Sequence, residues 1–198
     1  MSKKEFIAEC PLDRKRRFLG TFVPVINISI FSMILFYTVS GLLAGLPILS
    51  IDFMSNLVII VLSFFVGFYM PRNAPIYTSR YELSRDKLTI YRIYKKPVTL
   101  SFREIREVEV YVKSKGRIPR EVIQQERMAI ESLRKNGFKF LDYTNTEDII
   151  ILLITEEKVY MISPKEPEEL IKKIKKYQPS LKGRLVELTD KGSRVKRI

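Results

Sequence analysis

The chain is expected to be an α+β membrane protein: a two-helix transmembrane hairpin, then a seven-stranded antiparallel barrel with an inserted helix and a C-terminal capping helix. Three observations carry this expectation. Residues 18–70 contain no Lys or Arg and one acid, Asp52, in a chain that is 29% charged. From Tyr77 onward, apolar residues recur at every second position in short runs spaced about ten residues apart. Two later segments, 119–136 and 167–177, change to helical spacing.

The hairpin follows from length and charge. A hydrocarbon core of about 30 Å takes about 20 helical residues. The first apolar run, 18–46, has 29 residues and the second, 53–70, has 18. Both fit, the first with tilt. The connection, 47–52, holds Pro47 and the only charge. A helix on a soluble core would show a charged outer face, and neither run has one. Gly41 and Gly45 form a small-xxx-small pair, assigned to packing against the second span rather than to homodimerisation. No ionisable residue lies inside either run, which leaves no proton or ion path.

The flanks set the orientation. Residues 1–17 are a basic segment, with Lys3, Lys4, Arg14, Lys15, Arg16 and Arg17 against three acids. The hairpin loop has no Lys or Arg, and the rest of the chain has 29 against 18 acids. Such flanks stay cytoplasmic and are drawn to anionic headgroups. The expectation is a multi-pass protein of the cell membrane with both termini and the soluble domain cytoplasmic. A cleavable signal peptide does not fit, because the apolar run is too long and a second follows. The single Cys, Cys10, excludes an intrachain disulfide and a Cys-cluster metal site. It is read as an inert thiol in preference to a palmitoylation site. The lack of His removes His-based acid–base catalysis and nearly all zinc chemistry. No cofactor or metal is called for. The Ile, Lys and Glu content leans towards a thermophile.

Residues 71–177 form the soluble domain, which begins with the linker Arg72-Asn73-Ala74-Pro75. Strands are expected over 77–84, 88–94, 98–103 and 105–112, joined by short turns into an antiparallel meander. A helix over 119–136 is bounded by Pro119 and by Asn136-Gly137. Its Val122, Ala129, Ile130 and Leu133 share one face; Arg120, Arg127 and Arg134 share another. Strands resume at 138–143, 149–154 and 159–162. The last helix starts at Pro167 with Glu168 and Glu169 in its first turn and ends in Lys172, Lys173, Lys175 and Lys176, which suits its dipole. Leu83, Leu88, Ile90, Leu100, Val110, Ile150, Leu152, Leu170 and Ile174 are the expected core. Residues 178–198 are expected to be a loosely ordered basic tail.

Two stretches carry a family resemblance. Residues 81–90 (YELSRDKLTI), followed by 98–105 (VTLSFREI) and Val108, and residues 159–171 (VYMISPKEPEELI) resemble the opening hairpin and the final strand-to-helix turn of prokaryotic membrane-anchored PH-like (pleckstrin-homology-like) domain proteins. The resemblance covers about 77–177. It implies a binding or assembly module on a membrane anchor, not an enzyme, and it carries over no ligand residues. The helix at 119–136 is an insertion relative to that pattern. The turn Ser84-Arg85-Asp86-Lys87 is short and charge-mixed, which speaks against phosphoinositide recognition.

The expected function is therefore a non-enzymatic scaffold or binding module at the cytoplasmic membrane face, with a protein partner or a second copy as ligand. Its candidate contacts with an anionic surface are Arg14, Lys15, Arg16, Arg17, Arg120, Arg127, Arg134, Lys172, Lys173 and Lys176. Binding of anionic lipid or of nucleic acid through that basic surface is the alternative. Nucleic acid is disfavoured because several aromatics alternate with the strand period into the core. A membrane-bound enzyme is disfavoured further: no nucleophile–base pair, P-loop or paired-acid motif stands on a recognisable element.

Overall fold

The computed structural model describes residues 5–73, 76–114 and 118–198, with backbone alone for Glu5, Phe6 and 68–73. Lys3, Lys4 and the Ala74-Pro75 part of the linker lie outside the described residues. The chain divides into a helical unit, Arg14–Tyr77, and a β-rich unit made of the residues before it and Thr78–Ile198.

In the helical unit, α1 (Arg14–Leu43) and α2 (Ile51–Asn73) pack together. Helix α1 has the length and composition to cross a bilayer, while the apolar stretch described in α2, Ile51–Gly67, is shorter. Arg14 to Arg17 form the first turn of α1 rather than a segment ahead of it. Gly41 and Gly45 lie at the C-terminal end of α1, where the helix closes. Leu46 N–H donates to the Gly41 carbonyl at 2.9 Å and Gly45 N–H to that of Leu42 at 3.1 Å. This is a Schellman helix end, in which Gly45 takes φ +88° because a Cβ is penalised there. The close approach of the helices lies elsewhere. A Cβ on Gly67 would come within 2.5 Å of Asn27 Nδ2, and that amide donates to the Ser63 carbonyl at 2.7 Å.

The β-rich unit contains all seven expected strands: β2 (Ser79–Leu83), β3 (Lys87–Arg92), β4 (Val98–Ser101), β5 (Glu107–Lys113), β6 (Lys139–Asp142), β7 (Ile149–Ile154) and β8 (Lys158–Ile162). The inserted helix α3 (Arg120–Lys135) lies between β5 and β6, and α4 (Pro167–Tyr177) follows β8. Helix α3 ends like α1: Phe138 N–H reaches the Leu133 carbonyl, and the two side chains join one cluster.

Three expectations are corrected. The strands do not close into one barrel; with β1 (Glu5–Ile7), β9 (Lys182–Thr189) and β10 (Gly192–Arg197) they form two sheets, in the orders β1-β2-β3-β4 and β10-β9-β5-β7-β8-β6. The pairing is not wholly antiparallel, because β6 runs parallel to β8 and β9 parallel to β5. The ends of the chain carry strands, and residues 182–197 are not loosely ordered. Residues Glu5–Ile7 form β1 on the edge of the first sheet, and Lys182–Thr189 and Gly192–Arg197 form the hairpin β9–β10. The hairpin is ordered because β5 offers a full edge and because Leu185, Val186 and Leu188 bury their side chains against it.

The core is double. Tyr81, Leu83, Leu88, Ile90, Leu100, Val110, Ile151, Leu153, Leu170 and Ile174 fill the space between the sheets, which α4 closes. On the outer face of the six-stranded sheet, Tyr111, Ile150, Leu152, Ile154, Val186 and Leu188 pack under Val122, Ala129, Ile130 and Leu133 of α3. The run Ile149–Ile154 is apolar throughout because its sheet is covered on both faces. Helix α3 thus lies across a sheet face, not over a barrel mouth.

This arrangement makes the C-terminal hairpin a structural element. Burying side chains such as Leu185, Val186 and Leu188 stabilises by roughly 1.5–3 kcal/mol each. Deleting residues 182–198 should therefore unfold the β-rich unit or lower its melting temperature sharply in the detergent-solubilised full chain. An unchanged thermal transition by circular dichroism would show the hairpin to be dispensable.

Candidate functional site

The expected basic surface is not one patch. Arg120, Arg127 and Arg134 are exposed on α3, where their heptad spacing aligns them, and the Arg134 guanidinium lies 5.4 Å from the Phe140 ring centre. Lys172 and Lys176 are exposed on α4 and Lys173 is half-buried. Helix α3 covers the outer face of the six-stranded sheet and α4 the inner one, so the sheet lies between the two sets of cations. Arg14 to Arg17 belong to the separate helical unit.

One concavity stands beside α4. An open groove of about 520 Å³ runs between its first turn and the ends of β5 and β9. Val112, Leu185 and Pro167 give it an apolar floor. Glu166, Glu168, Glu169 and Glu187 stand around it, against Lys165 and Lys172. Ser114 and Thr189 are its hydroxyls, and no His or Cys lines it. Among the described residues, no group of three His, Cys, Asp or Glu could hold a metal ion. Sequence reasoning missed this groove because one of its walls is β9. The available signal was the Leu185-Val186-Glu187-Leu188 run ahead of a turn at Gly192.

A buried polar clasp stands at one end of the sheets. Asn145 is fully buried. Its Oδ1 accepts from Ser79 N–H at 2.7 Å, and its Nδ2 donates to the carbonyls of Cys10 at 3.1 Å and Ser79 at 3.0 Å. Its backbone N–H donates to Ser163 Oγ at 2.6 Å, and its carbonyl accepts from Asp13 N–H at 2.9 Å. Beside it, Arg92 donates to Ser79 Oγ and to the Asp142 and Thr144 carbonyls, with its guanidinium over the Tyr143 ring. Tyr81 donates to the Tyr143 carbonyl and accepts from Ser163 N–H, and burial pushes its hydroxyl up to about 12. Cys10 is buried, and burial first, then the Asp148 and Asp13 carboxylates, push its thiol up. A buried, protonated thiol is poorly placed for modification.

A second polar set lies under α3. Arg184 reaches Glu109 at 2.5 Å, and Tyr111 donates to the same carboxylate at 2.8 Å. Lys113 Nζ lies 3.1 Å from Glu126, which is buried within the apolar stripe of α3, and that burial pushes the Glu126 carboxyl up. These groups are paired inside the fold. They orient α3 and β9 on the sheet and leave no nucleophile open to a substrate.

Two sheets closed by an amphipathic helix, with a groove beside that helix, have the makeup of a PH-like domain. The bacterial PH domain family matches residues 79–178, from β2 to the end of α4, and the chain belongs to that family. Neither the curated proteins nor the solved structures include a match to the chain. The matched stretch excludes β1, the helical unit and the β9–β10 hairpin.

The clasp yields a direct test. Cys10 in the native full chain should react slowly with a maleimide. Asn145→Ala leaves buried partners unsatisfied, at about 1–3 kcal/mol each, and should accelerate Cys10 labelling several-fold. Equal labelling rates in the two proteins would show that the clasp does not hold the N-terminal segment.

Proposed function

We propose that the protein is a non-enzymatic, membrane-anchored binding module. In this reading α1 and α2 both cross the cell membrane. The termini and the PH domain stay on the cytoplasmic side, and the domain receives a protein partner or a second copy. The observation that carries it is the make-up of α1. Its body exposes Phe22, Ile28, Phe36 and other large apolar side chains, which favour an apolar solvent. Its first turn is Arg14-Lys15-Arg16-Arg17. Cations at a helix N-terminus oppose the macrodipole, so the helix itself gains nothing from them. Anionic headgroups on the cytoplasmic side supply the gain. Helix α2, with 23 residues, extends about 34 Å, a length that supports a return crossing.

The groove beside α4 supports the binding half of the reading. Its apolar floor and four carboxylates suit a partner segment that combines apolar and basic side chains. The cations of α3 (Arg120, Arg127, Arg134) and α4 (Lys172, Lys176 and the half-buried Lys173) are the surfaces for headgroups or an acidic partner. Each contributes about 1 kcal/mol near an anionic surface, and salt weakens it.

Topology is the first thing to measure. Reporter fusions at Ser50 should give an external signal and fusions at the C-terminus a cytoplasmic one. A C-terminal signal from outside, or a cytoplasmic one at Ser50, would overturn the two-span arrangement.

A further inference from the structure

The hairpin between β3 and β4 ends in an exposed apolar tip. Ile93 is 60% exposed and Tyr94 is 68% exposed. Among the described residues of the β-rich unit they are the one pair of adjacent large apolar side chains in this state; Met128, Tyr177 and Val195 stand singly. Tyr94 also has φ +63°, the left-handed region that Gly or Asn occupies at least cost. A large aromatic there carries backbone strain, yet its ring is not used to fill the core. The next residues are Lys95, Lys96 and Pro97, and Lys96 is exposed.

The base of this hairpin is rigid. Arg92 is buried and donates to Ser79 Oγ and to the carbonyls of Asp142 and Thr144. The Arg92 and Lys95 cations both lie over the Tyr143 ring, at 5.2 and 5.4 Å. The tip therefore projects from a pinned base and carries an aliphatic side chain, Ile93, a Tyr, Tyr94, and the exposed ammonium of Lys96. Those three groups match the layers of a bilayer surface: acyl chain, interface and anionic headgroup. A protein groove would meet Ile93 and Tyr94 equally well but offers no general reason for the adjoining cation.

We infer that the Ile93–Tyr94 tip dips into the interface of an anionic membrane, with Lys96 on the headgroups, as a second contact besides the helical anchor. This rests on the anchored reading above. Anchoring keeps lipid at high effective concentration, so even a weak tip contact is populated. The tip then restricts how the PH domain is presented.

The chain contains no Trp, so one introduced Trp reports alone. The full chain would be reconstituted in nanodiscs of neutral or part-anionic phospholipid, with and without brominated acyl chains. Variants would be Tyr94→Trp, Ile93→Trp and, as an anchor control, Leu35→Trp. The expected result is loss of most of the emission to brominated lipid for Leu35→Trp in both compositions. For the two tip variants the loss should be clear in anionic discs, smaller in neutral ones, and reduced by adding Lys96→Glu. Quenching of Leu35→Trp with none at either tip position would overturn the tip contact and leave the anchor standing. No quenching at Leu35→Trp would overturn the anchor and the tip together. Tip emission that shifts to the blue without lipid quenching would mean contact with protein instead, and would also overturn the inference.

Discussion

Asn145 is the residue on which the β-rich unit most depends. A single fully buried amide, with its own backbone groups, joins Cys10 and Asp13 ahead of the helical unit to Ser79 behind it and to Ser163 at the end of β8. An amide can do this because it donates and accepts at once, and a buried polar group left unpaired is costly. The long excursion through α1 and α2 therefore leaves and rejoins the domain at one hydrogen-bonded locus. Arg92, Tyr81 and Ser163 extend the network to both sheets, so a loss at Asn145 is not confined to one strand.

The second constraint is the demand of β5. Its two faces carry Val108 and Val110 on one side and Glu109 and Tyr111 on the other, and all four are buried. Strand alternation suggests one wet face. The structure covers that face with α3 and then has to satisfy Glu109, which Arg184 of β9 and the Tyr111 hydroxyl do. The inserted helix and the C-terminal hairpin are thus coupled: one buries the polar face and the other supplies its counter-charge. Removing a single partner from such a set leaves a buried charge, which costs more than the pair contributes.

Charge is organised by solvent contact. The chain carries a net charge of +13, yet the groove beside α4 is lined by four carboxylates against two lysines, and the arginines of α3 and lysines of α4 stand on opposite faces of one sheet. The basic and acidic side chains are thus segregated on the surface of the β-rich unit.

The apolar hairpin, the seven strands, the bounds of α3 and α4 and the nine expected core residues are legible in the sequence, because each is set by local periodicity, a terminal Pro or Gly, or the absence of charge. All nine core residues are buried, including Leu83, Leu88 and Ile174. Only the tertiary structure decided the rest. Whether Gly41 and Gly45 face a helix or end one depends on where the chain turns. Whether Asn145 is a surface turn residue or a buried clasp depends on Cys10, Ser79 and Ser163, all distant in sequence. Whether Lys182–Thr189 is a tail or a strand depends on the free edge of β5. The basic composition of that segment conceals its apolar positions until a partner edge selects them, because strand pairing is satisfied between residues far apart and leaves no signature in either one alone.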